Sequence, residues 1–312
     1  MSVVLVTGAA GQLGRAVVPA LRAAGHTVRT QGRGAAPPGG DVHIRGDLRD
    51  PEVAARAVDG VGAIVHLAGG LRGGRGEGPE AANVAPTASL LVAARRFAPE
   101  ARWLAASSAA VHGCRAGATV DEAHPPRPDT AYGRAKVAQE RLLTESRLPV
   151  DILRFGAIWG AGLRVTLDGP LRRGPVLVPG DGLNLVPLLH IDDAVETIAL
   201  LLAGAPPNGP RVLHVADPSA TPLGAFWRAV AAAIGRPPPR FLPLPAAPIT
   251  AAAAAIAALY AAAGRRAPLG PDTFRLLQSS VRLNTARLDA LRGRPLRWPD
   301  PLRAVPKVLS PA

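Results

Sequence analysis

Val3-Val4-Leu5-Val6-Thr7-Gly8-Ala9-Ala10-Gly11-Gln12-Leu13-Gly14 opens the chain, and its reading decides the architecture. Val3 to Val6 form a short β-branched run of buried-strand type, three glycines at intervals of three break it, and a helical segment follows through Ala24. The first N–H groups of a helix have no partner inside it, so a strand that turns through glycine into a helix presents donors to an anion. With 34 glycines in the chain, a G-x-x-G-x-x-G spacing arises by chance about 0.4 times, so its weight comes from its place between strand and helix. In that place Gly8, Gly11 and Gly14, with Gln12 and Leu13 between the last two, read as the pyrophosphate cradle of a dinucleotide site.

Outward from this turn the chain alternates. His26–Thr30, Val42–Ile44, Ala63–Ala68, Arg102–Ser107 and Val150–Arg154 read as further strands, and Asn83–Phe97 and Tyr132–Ser146 as helices. The pattern predicts an α/β fold, a doubly wound parallel sheet. Residues 1–160 are expected to form a dinucleotide-binding domain and 161–312 mainly a smaller C-terminal substrate-binding domain, with the stretch around 186–216 returning to the first. From Ala246 to Gly264 an uncharged, alanine-rich stretch ends at Arg265-Arg266. Alanine is only marginally apolar, so this reads as a helix of the substrate domain and not a membrane segment.

Composition bounds the function. The 312 residues are 48% apolar, enough for a large core. The formal charge of +13 would ordinarily raise nucleic acid as a partner. Here the arginines are spread along the chain and aromatics are 4% of it, so neither nucleic acid nor a membrane is expected. A lone Cys114 excludes an intramolecular disulfide and a cysteine metal cage, and no metal site is expected. Met1-Ser2 runs directly into the first strand without a basic, cleavable leader, so a cytoplasmic location is expected.

Only two tyrosines and two lysines occur in the chain, and one of each stands in Tyr132-Gly-Arg-Ala-Lys136. Chance gives that spacing with a probability of about 1%. Positions i and i+4 share a helix face. A lysine held beside a phenol favours the phenolate, so the Tyr132 pKa is expected to fall from about 10 toward the range of proton exchange with substrate. All other basic side chains but Lys307 are arginines, so position 136 keeps a compact ammonium where a guanidinium is chemically different.

Thr7-Gly8-x-x-Gly11-x-x-Gly14, Ser107-Ser108-Ala109-Ala110-Val111 and Tyr132-x-x-x-Lys136 together resemble the extended short-chain dehydrogenase/reductase family, of epimerase/dehydratase-like members with a Rossmann-like sheet. The resemblance spans nearly the whole chain and implies an NAD(P)-dependent oxidoreductase or epimerase. It makes Tyr132 the general acid/base, gives Lys136 the nicotinamide ribose and the tuning of Tyr132, and assigns the reacting oxygen to Ser108, 24 residues before Tyr132. Ser107 is expected to be structural. Asp47-Leu48 is similar to the family's adenine contact, Leu67-Ala68-Gly69 to its cofactor loop, and Phe155 falls in its cofactor set. Asn83 fits two readings, support of an active-site water or the cap of the following helix. His190-Ile191-Asp192-Asp193-Ala194 and Ala286–Leu291 resemble its late motifs, and Pro170–Asn184, with Arg172 and Arg173, its substrate-covering insertion.

Departures from the pattern narrow the activity. Arg154-Phe155-Gly156-Ala157 lacks the Asn that serves a sugar-nucleotide diphosphate in the epimerases, and Ala109-Ala110 cannot do dehydratase chemistry. His112 stands where a tyrosine is usual, and reads as a pocket-wall or surface residue before a second acid. Between Thr27 and Gly40 there is no acidic residue to bind ribose hydroxyls, whereas Arg29 and Arg33 could meet a 2′-phosphate, Arg33 in about the right place. The resulting expectation is an oxidoreductase that prefers NADP over NAD and moves a hydride to or from a small, apolar carbonyl or alcohol substrate. A nucleotide-sugar 4-epimerase is the enzymatic alternative, a non-catalytic NADP-binding sensor the alternative of another class, and a homodimer stays open.

Overall fold

The computed structural model describes residues 3–71, 77–115, 117–160, 177–243, 246–265 and 271–309. Its centre is a parallel sheet of seven strands: β1 (Val3–Thr7), β2 (Thr27–Gly32), β3 (Val42–Arg45), β4 (Ala63–His66), β5 (Arg102–Ser108), β6 (Val150–Phe155) and β7 (Arg211–Val215). The spatial order is β7-β6-β5-β4-β1-β2-β3. The order reverses between β1 and β4, and ligands of such sheets bind beyond the carboxyl ends of the strands at that point. Register brings Thr7 beside both Gln31 and His66, and Ser108 beside Phe155, along this one edge.

Helices cover both faces because both faces of the sheet are apolar. On one side α1 (Gln12–Ala23) and α5 (Ile191–Ala203) bury Val17, Val18, Leu21, Ile198 and Leu201 against Val4, Val6 and Leu213. On the other, α2 (Pro51–Val58), α3 (Pro79–Phe97) and α4 (Ala131–Glu145) bury Ala54, Leu90 and Leu143 against Leu5, Ile64 and Trp103. Local chemistry sets the helix starts. Asp50 accepts from the Glu52 amide with Pro51 in the first turn, and Thr130 accepts from the Gly133 amide at 3.0 Å. The Thr130 cap places Tyr132 in the opening turn of α4. Pro79 likewise begins α3 four residues before the expected Asn83.

The strand β7 comes from beyond residue 160 and pairs with β6. Buried Asp151 on β6 receives Arg211 of β7 at 2.7 Å and Arg102 of β5 at 3.3 Å. The C-terminal part comprises α6 (Leu223–Ala233), α7 (Ala246–Ala262), α8 (Pro271–Gln278), α9 (Ala286–Arg292) and α10 (Pro301–Leu309), and a further apolar cluster around Trp159, Phe226, Trp227 and Val305 packs α6 against α10. Asp193 fastens this part to α5 by accepting from the Arg297 and Trp298 amides at 2.6 and 3.1 Å. The alanine-rich stretch is the helix α7, packed against α8 and otherwise largely exposed. Among the described residues no helix is long and apolar enough to cross a membrane. Arg172 and Arg173, with the rest of 170–176, lie outside the described residues.

Candidate active site

A cleft of about 400 Å³ opens at the β1/β4 crossover. Gly8, Gly11, Arg33, Asp47, Leu48, Leu67, Ala68 and Gly69 all line it. Gln12 and Leu13 begin α1 beside it, and Gly14 is buried beneath the turn. Gly8 has φ +65°, and a Cβ there would stand 2.7 Å from the Ala68 amide nitrogen. At Gly14 a Cβ would stand 2.6 Å from the Gly8 carbonyl oxygen. Only glycine permits this approach of α1 to β1 and of the turn to the loop after β4. The shape and its exposed helix N-terminus fit a dinucleotide pyrophosphate.

The two arginines expected near the 2′ position have different fates. Arg29 points its Nη1 to the carbonyls of Arg56, Ala57 and Asp59 at 3.4, 3.1 and 2.6 Å, so it closes the C-terminal end of α2 and does not serve the cleft. That end of α2 lies at the opposite edge of the sheet from the glycine turn, because α2 runs back from β3 to the start of β4. Arg33 follows β2, lines the cleft, and makes no hydrogen bond or ion pair with the described residues. Asp47 is held by Arg49 at 2.7 Å, and this partner keeps its carboxyl below the usual range. Arg49 also pairs with Glu77 at 2.7 Å, so its guanidinium is already shared between two carboxylates.

Gly69, at the rim of the cleft, comes close to Lys136 of α4, and the ends of β5 and α4 lie beyond it. Ser108 ends β5, its hydroxyl accepting from the Ala110 amide at 3.2 Å, and its side chain lies beside the Tyr132 phenol, whose pKa it lowers. Lys136 Nζ lies 5.9 Å from the Tyr132 ring centre and donates to the Ala106 carbonyl and to Gln139 Oε1, each at 2.9 Å. A Cβ on Gly69 would stand 3.3 Å from Nζ, which fixes how near the cofactor loop comes to the ammonium. The three candidate catalytic groups are therefore together. The expected fall of the Tyr132 pKa does not occur: burial pushes the phenol up, and the neighbouring Ser108 side chain only offsets part of it. Burial likewise lowers Lys136 to about 8, with Glu140 opposing.

Buried polar groups support this edge. Ser107 donates to Glu140 at 2.5 Å, and Glu140 pairs with Arg154 at 2.8 Å, so Ser107 is structural. Asn83 is not a helix cap. It sits inside α3, gives its amide hydrogens to the Gly70 and Pro79 carbonyls and accepts from the Gly70 amide, clamping the loop that ends the cleft. His112 is not at the surface: it is fully buried and 2.9 Å from His214. Burial, then the charge of Arg154, lowers it to about 3, so it stays neutral and supplies no second acid. Phe155, expected at the cofactor, turns its ring into the core and is 4% exposed. Gln139, Glu140 and Thr87 were not singled out from sequence. The signal available was helical spacing, since 139 and 140 share the face of Lys136.

A doubly wound parallel sheet with a glycine cradle at its crossover and a Ser, Tyr and Lys beyond it defines a nicotinamide-dinucleotide enzyme. The chain belongs to the NAD dependent epimerase/dehydratase family, whose sequence profile matches residues 4–216. It is 34% identical over 265 residues to a 3-diazoavenalumate denitrifying reductase of a Streptomyces species, covering 78% of this chain and 86% of that one. It is 29% identical to a 2-alkyl-3-oxoalkanoate reductase of Stenotrophomonas maltophilia, covering 75% and 76%. MoeE5, solved in complex with UDP-glucose and NAD, superposes with a TM-score of 0.76 at 27% identity, over 98% of this chain and 96% of that one. The chain is an NAD(P)-dependent oxidoreductase that acts on a small molecule.

Proposed function

We propose that the chain reduces the carbonyl group of a small, apolar substrate, prefers NADP(H), and uses Ser108, Tyr132 and Lys136 for the chemistry. The observation that carries this reading is that Ser108, at the end of β5, stands beside Tyr132, with the Lys136 ammonium 5.9 Å from the centre of the phenol ring. A substrate carbonyl oxygen placed between these two hydroxyls accepts from both. The nicotinamide, when bound, supplies the hydride. Tyr132 keeps its proton because its phenol is raised, so it serves as the acid that completes the alcohol. Lys136 holds a positive charge beside the phenolate left behind.

Two further observations support the finer points. Arg33 lines the cleft at the end of β2 with no hydrogen bond or ion pair among the described residues, a position suited to a 2′-phosphate. Ala157, just beyond β6, stands where the epimerases carry the Asn that holds a sugar-nucleotide diphosphate, so that amide is absent. Substrate recognition falls to the part that follows residue 160. The reductive direction agrees with the names of the two relatives. A panel of ketones assayed by NADPH absorbance, with UDP-glucose as control, tests the reading. Consumption of NADPH with a ketone is expected. Tightly held NAD together with interconversion of the sugar nucleotide, without net NADPH use, would overturn it.

A further inference from the structure

A continuous line of buried hydrogen bonds runs from the phosphate-binding turn to the candidate catalytic lysine. The Ala68 amide donates to Thr7 Oγ1 at 3.1 Å, and Thr7 Oγ1 lies 2.7 Å from His66 Nδ1. His66 Nε2 lies 2.8 Å from Thr87 Oγ1, Gln139 Nε2 donates to Thr87 Oγ1 at 3.0 Å, and Lys136 Nζ donates to Gln139 Oε1 at 2.9 Å. All five side chains are buried, Lys136 being the most exposed of them at 4%.

Proton counting gives this line one polarity. Thr87 spends its single hydroxyl hydrogen on the Asn83 carbonyl at 2.7 Å, because a carbonyl only accepts. Both other neighbours of that hydroxyl must then donate to it. So His66 carries its hydrogen on Nε2, and its bare Nδ1 accepts from Thr7, whose oxygen in turn accepts from Ala68. Gln139 must present its NH2 to Thr87 and its carbonyl oxygen to Lys136. The reversed amide would set NH2 against ammonium and carbonyl oxygen against a hydroxyl with no hydrogen to give, each an unsatisfied buried contact.

We propose that Gln139 is the positioning residue of Lys136, and that Thr87 and His66 hold its amide in the one orientation that accepts from the ammonium. The proposal rests on the reading of Lys136 as part of the site. Among the described residues, the titratable and charged groups around the ammonium are Tyr132 and Glu140 on α4 and His66 on β4. Burial and the nearby Lys136 charge lower His66 to about 3, so the ring is neutral and can keep a fixed tautomer at ordinary pH. Gln139 thereby supplies the acceptor that the ammonium loses on leaving water.

Two measurements on the cofactor-free protein test this without turnover, so their failure is distinct from failure of the proposed reaction. The chain has two lysines, so ε-13C-lysine NMR resolves Lys136 directly, with Lys307→Arg for assignment. A hydrogen bond to the charged form favours it, so Gln139→Leu is expected to lower the Lys136 midpoint by about one pH unit, and Gln139→Glu to raise it. A role confined to packing would lower the melting temperature and leave both midpoints in place, which would overturn the proposal. The second measurement uses the wild-type chain and is independent of how the variants fold. Long-range 15N NMR of His66 is expected to show a neutral ring protonated on Nε2 from pH 5 to 8. A ring protonated on Nδ1, or a cationic ring, would overturn the proposal.

Discussion

Lys136 Nζ lies 5.9 Å from the centre of the Tyr132 ring but gives its hydrogen bonds to the Ala106 carbonyl and Gln139. The charge is near the phenol without being bonded to it. Burial therefore decides the direction of the Tyr132 pKa, and the phenol is raised. A raised phenol is a proton donor throughout the ordinary pH range, which suits the proposed reduction.

Replacement of the donor tests this directly. Tyr132→Phe is expected to lower kcat by about 10²–10⁴ with the fold intact, as for loss of a general acid. Ser108→Ala is expected to cost about 10²–10³, as for loss of one donor to the reacting oxygen. Steady-state NADPH consumption on a reducible ketone reads both. Turnover by Tyr132→Phe equal to the wild type would remove the catalytic assignment.

The two arginines near β2 separate cofactor choice from stability. Arg33→Ala is expected to raise KM for NADPH tenfold or more, about the value of one hydrogen bond to a charged group, and to leave KM for NADH unchanged. Arg29→Ala is expected to leave the NADPH preference intact and to lower Tm, because the carbonyls ending α2 lose their donor. Kinetics with both cofactors and a thermal melt distinguish the pair. An unchanged NADPH preference in Arg33→Ala would refute the 2′-phosphate role.

Acid should unfold the protein through its buried imidazoles. His66 and His112 are each lowered from 6.5 to about 3, mainly by burial. Unfolded rings take up protons below about pH 6.5 that the folded rings refuse, so stability is full above that pH and falls as pH drops toward 3. The slope approaches about 1.4 kcal/mol per pH unit for each ring. Urea unfolding at pH 7, 6, 5 and 4 measures it. A flat profile down to pH 4 would show that these rings are not held neutral.

Glu140 offers a test of the scaffold apart from the chemistry. It is buried, paired with Arg154 at 2.8 Å, and accepts from Ser107 at 2.5 Å. Glu140→Ala leaves a buried guanidinium without its counter-charge and is expected to cost about 3–5 kcal/mol. Adding Arg154→Met should recover part of that loss, because the stranded charge is then gone. Denaturant midpoints of the single and double variants decide the matter. A double variant no more stable than the single would mean that the pair does not account for the cost.

The strand, the glycine turn and the following helix are legible in residues 3–24 because their signal is local: apolar period, β-branching and glycine spacing act within a dozen residues. The same holds for Tyr132 and Lys136, whose shared face follows from helical spacing once Thr130 caps the helix. By itself, then, the sequence determines the doubly wound sheet, the place of the cradle and the chemical type of the candidate acid. Tertiary structure alone decides which charges reach the site and which way they titrate. Arg29 and Arg33 are the same residue type four positions apart, yet the end of α2 captures one and leaves the other in the cleft. Thr7 meets His66 across 59 residues, and His112 meets His214 across 102. Burial of a phenol, the tautomer of a histidine and the orientation of the Gln139 amide are set by such distant partners, because desolvation and hydrogen bonding depend on what surrounds a side chain in space.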